Sequence, residues 1–337
     1  MAVAGGDERV RIGAIGTGGI ASTHFRNLAT IRGVELVAFC DVARERAVAA
    51  AERFNPRARV YDDSKELLGA GGLDAVYVTV PPFAHGEIEL AVVAAGLPMY
   101  VEKPVALSLD TARQIQQAIE ARDAMVCVGY HWRYTPSTDR VREVLADSTI
   151  GLLYGYYKTR PPGMPGHWLT VKEQSGGQMV EQTTHIIDMA RLLAGDVRTV
   201  YARFANRVTP VQPGFTAADV GTATLEFAGG ALGTISNCWL VPLDHVSGLE
   251  LWTDKGLVEF DQRSLRRRYN GTVEEVPLPG APEGVSGHYF ADKAFVDAVR
   301  TGDRSLIRTP YQEAVKTLAV SLAATDSAAS GQPVTLG

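Results

Sequence analysis

The chain has 337 residues, enough for two ordinary cores, and a globular composition with 46% hydrophobic and 21% charged residues. Its net charge of −5 gives no electrostatic footprint for nucleic acid or an anionic membrane. Cys40, Cys127 and Cys238 are too dispersed to suggest a disulfide framework or a CxxC metal site. No run reaches membrane-spanning length, and no signal-peptide stretch follows the short polar start Met1 to Glu8, so a soluble cytoplasmic protein is expected.

In chain order, Arg9 to Ile15 predicts a first strand, with Val10, Ile12 and Ala14 alternating. The turn Gly16-Thr17-Gly18-Gly19-Ile20-Ala21 follows, then a helix to about Ile31. Strands are expected at Glu35 to Cys40, Val60-Tyr61, Asp74 to Val80, Pro98 to Val101 and Met125 to Val128, with helices between them. This alternation predicts a doubly wound α/β parallel sheet. After Tyr130 the pattern changes. A helix around Ser137 to Ala146 leads into alternating or aromatic-rich strands from Leu153 to Tyr269, interrupted by one helix expected over Gly177 to Leu193. Two helices close the chain, near His288 to Arg300 and Gln312 to Ser330. The expected division is a dinucleotide-binding domain at 1–129 and an α+β domain with a large, mainly antiparallel sheet at 130–337. Pro161 to Gly166 and Pro277 to Gly287 read as loops near a site.

The glycine turn sits in the context that gives it meaning: it ends a strand, opens a helix, and precedes an acid, Asp41, at the end of the next strand. Gly16 permits the tight turn, Gly18 lets backbone approach a pyrophosphate, and Thr17, Gly19 and Ile20 complete a helix start whose free N–H groups face phosphate. Asp41 is positioned to accept hydrogen bonds from ribose hydroxyls and to repel a 2′-phosphate, which favours NAD, while Arg44 and Arg46 leave NADP open. Pro81 and Pro82 stop a ladder and are expected beneath the cofactor, with His85 in the first turn of the next helix.

Lys103, in Glu102-Lys103-Pro104, falls at the carboxyl end of a strand, where open α/β sheets bind ligands. A lysine there can donate a proton or stabilise an alkoxide; the plain alternative is a surface turn. On a continuous helix, Glu181, His185 and Asp188 share one face. A histidine between two carboxylates has its basicity raised, which suits a general base. The competing readings are a structural ion-pair helix and a metal site, the latter without a further ligand cluster. Trp168 is a candidate for stacking on a sugar; Arg133, beside Tyr134, either reaches substrate hydroxyls or holds the domain junction.

The glycine turn, Pro81-Pro82 with His85, Glu102-Lys103-Pro104, Gly129 with Arg133-Tyr134, and Gly176-Gly177 with Glu181, His185 and Asp188 occur in an order that resembles the Gfo/Idh/MocA family, the glucose–fructose oxidoreductase and inositol dehydrogenase-like enzymes. The resemblance spans nearly the whole chain. It implies a Rossmann domain followed by a domain whose open sheet often forms the interface of a homo-oligomer, a dimer or tetramer. It implies that Lys103 and His185 match the family's catalytic lysine and histidine, with a cis Lys103–Pro104 bond aiming the lysine into the cleft. Glu181 stands where many members have aspartate, and Thr183 where many have glycine. The expected activity is an NAD(P)-dependent oxidoreductase that transfers hydride between nicotinamide and a carbinol carbon of a sugar, inositol or related polyol. An NADPH-dependent reductase of a keto-sugar or other carbonyl, and a non-catalytic nucleotide-binding regulator like the galactose-pathway repressor, are the alternatives. Intact Lys103 and His185 argue against the second.

Overall fold

The computed structural model describes residues 9–162, 165–240, 245–278 and 285–337. The first layer is a six-stranded, wholly parallel sheet built from β1 (Val10–Ile15), β2 (Val34–Cys40), β3 (Arg59–Tyr61), β4 (Ala75–Val78), β5 (Met99–Val101) and β6 (Val126–Val128). Their order is β3-β2-β1-β4-β5-β6, the doubly wound arrangement expected from the alternating pattern. Helices α1 (Gly19–Leu28), α2 (Arg44–Phe54), α3 (Ser64–Gly69), α4 (Glu87–Ala94) and α5 (Leu109–Ala121) make the crossovers. β4 is buried at every position, as a parallel strand covered on both faces must be. The order reverses between β1 and β4, so the carboxyl ends of these strands open a crevice there.

Helix α6 (Pro136–Leu145) leads to a second sheet of nine strands. These are β7 (Ile150–Lys158), β8 (Val197–Ala205), β9 (Val220–Phe227), β10 (Leu232–Cys238), β11 (Val246–Thr253), β12 (Gly256–Phe260), β13 (Leu265–Tyr269), β14 (Thr272–Glu275) and β15 (Val334–Thr335). Every described pairing is antiparallel except β7 with β10. One face carries helices, and residues such as Leu153, Ile235 and Leu251 join Ile186 and Met189 in its core. The other face bears the aligned row Trp252, Leu152 and Leu232, where Trp252 and Leu232 are about half exposed.

The sequence predicts one helix over Gly177 to Leu193, and here the structure differs. Short α7 (Lys172–Ser175) and α8 (Gln178–Glu181) precede α9 (Thr184–Ala194), with Gln182 and Thr183 between the last two. Gly177 at φ +83° opens α8, and α9 packs so tightly on β7 that a Cβ at Gly155 would lie 2.5 Å from Ile186. The chain breaks where β-branched Thr183 and Thr184 adjoin. The final helices tie the two layers together. α10 (Gly287–Thr301) packs Ala291, Phe295 and Val296 into the core beside α1 and β1, and α11 (Tyr311–Ser330) contributes to both sheets' cores. The loop stretches Pro161 to Gly166 and Pro277 to Gly287 lie partly outside the described residues. Among the described residues, no helix is long and apolar enough to cross a membrane.

Candidate active site

The cofactor end is organised by β1, the turn after it, and β2. Gly16 adopts φ +90°, and a Cβ there would meet the Thr79 carbonyl oxygen at 2.7 Å, so only glycine fits without displacement. Gly18 and Gly19 are exposed, with open space where their side chains would be. No side chain caps the start of α1. A ten-residue helix with an uncapped N-terminus approached through glycines fits a dinucleotide pyrophosphate. Asp41 is locked into the same turn: Oδ2 accepts from Thr17 N and Oγ1, both at 2.9 Å, and Oδ1 accepts from Ala43 N at 3.0 Å. Ile20 remains exposed at the helix start.

Pro81 precedes a 3-10 turn at Pro82–Ala84, and α7 packs against that turn. His85 is not in the first turn of the following helix, as the sequence suggests. It lies before α4, because Gly86 at φ +137° interrupts the chain. Its Nδ1 pairs with Glu89 Oε1 at 2.6 Å and its side chain is buried. Glu102 is likewise turned inward. It accepts from His24 Nε2 at 3.1 Å, and Gly129 leaves it room, since a Cβ there would come within 2.3 Å of Glu102 Oε1. Glu102 and His85 Nδ1 are therefore committed to protein partners, while His85 Nε2 is buried without one among the described residues.

Lys103 emerges from the end of β5, and its peptide bond to Pro104 is cis. Nζ donates to Glu181 Oε1 at 2.6 Å and to the Glu181 backbone oxygen at 2.9 Å. Burial alone would lower its pKa, but Glu181 and Glu102 outweigh that and raise it, so Lys103 is held as an ammonium. Tyr157 on β7 stands close enough to feel both charges of this pair.

The surroundings of His185 correct the expectation from spacing. The break at Gln182-Thr183 removes the shared helical face with Glu181, whose carboxylate goes to Lys103 instead. Asp188 goes to Arg133, which donates through Nε at 2.8 Å and Nη2 at 2.7 Å, and it also accepts from Thr317 at 3.0 Å. His185 Nδ1 is buried with no hydrogen-bond partner among the described residues. Burial, then the positive charge of Lys103 and the neighbouring His288 and His245, push its pKa well below the usual histidine range. Its basicity is lowered, not raised, and the ring is neutral near pH 7. Arg133 is only 6% exposed with its fork filled by Asp188, so of its two readings the contacts favour the junction over substrate hydroxyls. Trp168 is half-buried at the start of a 3-10 turn, Trp168–Thr170, beside the His167 ring.

The structure adds neighbours that the motifs do not point to. His24 on α1 is fully buried and bonds Asp292 Oδ1 through Nδ1 at 2.7 Å as well as Glu102. Burial opposes its charge, but the two carboxylates prevail and raise its pKa to about 10. His131 and His288 stack with ring centres 3.6 Å apart, and the rings of His131 and His185 are 4.6 Å apart and steeply inclined to each other. One signal in the sequence could have found His24: it lies on the same stripe of α1 as Ala21, Phe25 and Leu28, where a buried polar group needs a partner.

Comparison with known proteins places these features in a family. Residues 10–130 match the model of the oxidoreductase family with NAD-binding Rossmann fold, and residues 138–259 match the GFO/IDH/MocA C-terminal domain. An inositol 2-dehydrogenase of Rubrobacter xylanophilus is 30% identical over 263 residues, covering 76% of this chain and 72% of the relative. A myo-inositol 2-dehydrogenase of Thermotoga maritima is 32% identical over 257 residues, covering 75% of each. The solved structure of a levoglucosan dehydrogenase in complex with NADH superposes with a TM-score of 0.86 at 19% identity, covering 98% of this chain and all of that one (100%). The chain therefore belongs to the GFO/IDH/MocA family of oxidoreductases, and its residues 10–130 are the NAD-binding Rossmann fold of that family.

Proposed function

We propose that this NAD-dependent dehydrogenase oxidises a secondary alcohol of a cyclic polyol, of the inositol class. The observation that carries this reading is Lys103, just beyond the carboxyl end of β5 and bonded to Glu181 at 2.6 Å, near a buried His185 whose Nδ1 is unpaired among the described residues and whose pKa burial and that ammonium lower. Environments that separate two titratable groups in this way assign acid and base roles. The residues suited to hold the dinucleotide are Gly16 to Ile20, with Asp41 for the ribose and Pro81 beneath. When bound, the nicotinamide supplies the two-electron hydride acceptor. His185 takes the hydroxyl proton at Nε2, and Lys103 stabilises the oxygen as negative charge develops. Glu181 holds Lys103 in place and is poised to accept a hydrogen bond from a neighbouring substrate hydroxyl. Trp168 offers an apolar face for a ring. Inositol dehydrogenase activity in two relatives that each cover about three quarters of the chain supports the substrate class.

In this reading, residues 1–129 bind the dinucleotide and 130–337 shape the substrate site. The row Trp252, Leu152 and Leu232, exposed at its two ends, forms the interface with a second copy of the chain in the cytoplasm. Sedimentation should show an oligomer that Trp252→Glu with Leu232→Glu dissociates.

The test of function is a panel of inositols, monosaccharides and acyclic polyols with NAD and with NADP, followed by absorbance of the reduced nicotinamide. Cyclic polyols with NAD should give turnover. Turnover only of carbonyl compounds with NADPH would move the assignment to the reductase reading, and cofactor binding without turnover of any substrate would support a regulator.

A further inference from the structure

A neutral imidazole has one N–H and one lone pair. Because His185 Nδ1 is buried without a partner, a base at this ring works through Nε2, and the hydrogen must then sit on Nδ1. Enzymes ordinarily hold such a hydrogen with a carboxylate or a carbonyl. Here both candidate carboxylates are engaged elsewhere, Glu181 by Lys103 and Asp188 by Arg133. What lies against His185 is an aromatic ring: His131, centre to centre 4.6 Å, inclined by 66°. Tyr130 is farther, at 5.9 Å, and its hydroxyl is paired with Thr184.

His131 is held by packing, its own Nδ1 being without a hydrogen-bond partner among the described residues. It lies in the 3-10 turn His131–Tyr134, is 5% exposed, and stacks on His288 at 3.6 Å with the planes 24° apart. The stack depends on Gly287, where a Cβ would come within 2.8 Å of the His131 ring. Four of the seven histidines thus form one row, since His24 meets His288 edge-on at 5.7 Å.

We propose that His131, clamped by His288, is a positioning residue that orients His185 and sets its tautomer, its ring face receiving the Nδ1–H where another site would use a carboxylate. N–H contacts to an aromatic face are weak individually, but here the alternative is a buried N–H with nothing to meet. The arrangement also keeps the base neutral. Burial, Lys103, His288 and His245 lower His185, and burial with His288, His185, Lys103 and His24 lowers His131. The remaining charges facing the row are Glu102 and Asp292 around His24, the Lys103–Glu181 pair, and the Asp188–Arg133 pair.

The inference rests on His185 being the base, and the test separates the two. Protein labelled with 15N-histidine is titrated by NMR, with His185 assigned from His185→Asn. Wild type should show His185 as the Nδ1–H tautomer; a dominant Nε2–H tautomer would overturn the proposal without any variant having to fold. His131→Phe, which keeps a ring face, should retain the tautomer and most of kcat. His131→Leu should mix the tautomers and lower kcat about three- to tenfold with unchanged NAD affinity, the scale of one weak contact. His288→Ala, which frees the clamp, should shift His185 in the same direction. Wild-type tautomer and kcat in both His131→Leu and His288→Ala would also overturn it. Should His185→Asn keep full turnover, the base assignment falls while the tautomer measurement stands independently.

Discussion

His24 and His185 are buried to a similar degree, one on α1 against the first sheet and one on α9 beneath the second, yet their surroundings favour the protonated form at His24 and the neutral form at His185. His24 lies between Asp292 and Glu102, which hold its proton to about pH 10. Among the described residues His185 has no carboxylate hydrogen-bond partner, and it faces an ammonium and other imidazoles. Burial penalises the charged form at both places, so the difference is made by the partners. The pair at His24 clasps α1, β5 and α10 together. The ring of His185, packed against His131 with no carboxylate partner among the described residues, stays neutral with its lone pair available.

The comparison breaks most sharply at the reacting groups. Lys103→Met and His185→Asn should each lower kcat by on the order of 10²–10⁴-fold, the scale of a positioned acid or base, while NAD affinity measured by fluorescence quenching stays unchanged. Near-normal turnover in Lys103→Met would make the Lys103–Glu181 pair structural. Next in size is the clasp. Asp292→Asn leaves His24 with one carboxylate in a fully buried site, and loss of a buried partner costs about 3–5 kcal/mol, readable in urea denaturation. Unchanged stability would deny His24 its charge.

The two histidines also separate along the pH axis of stability. His24 is raised in the folded state, so its contribution is complete below the unfolded value near 6.5 and fades as pH climbs through about 10. His131 and His185 are lowered, and His288 is lowered to about 4, so their neutral burial supports the fold above about 6.5 and is progressively lost as pH falls below it. Denaturation midpoints should therefore decline on both sides, and Asp292→Asn should flatten only the alkaline side. The smallest effect is expected at Asp41. NAD should bind more tightly than NADP, and Asp41→Ser should narrow the gap by about fivefold to tenfold, the size of one water-screened charge–charge interaction of about 1 kcal/mol. Equal binding of the two by the native protein would give the cofactor preference to Arg44 or Arg46.

The same contrast explains what could be seen in the sequence. The glycine turn, Asp41, Pro81 and the alternation of β1 to β6 are local patterns, and Gly16 to Asp41 form one contiguous structural unit. Lys103 was visible from its place at a strand end. The partners of His185 were not, because spacing argues from an unbroken helix, and a pair of β-branched residues after Gln182 lowers helix propensity without by itself announcing a break. The carboxylates four and three positions away answer instead to Lys103 and Arg133, which arrive from 78 and 55 residues distant. His24 and Asp292 meet across 268 residues, and no local pattern pairs them. Tertiary contact thus moved the carboxylate-flanked histidine from His185 to His24.

The most direct test of this account is the pH dependence of kcat/KM for the native enzyme and for His185→Asn, measured with the best substrate of the polyol panel. The native profile should fall on the acid side with an apparent pKa below 6.5, because the free enzyme's base is a neutral, buried imidazole that must not be protonated. That limb should be absent from the residual activity of His185→Asn. A native limb above 6.5, or the same limb surviving in the variant, would contradict the account, the first by giving His185 the carboxylate support it lacks in the structure and the second by giving the proton to another group.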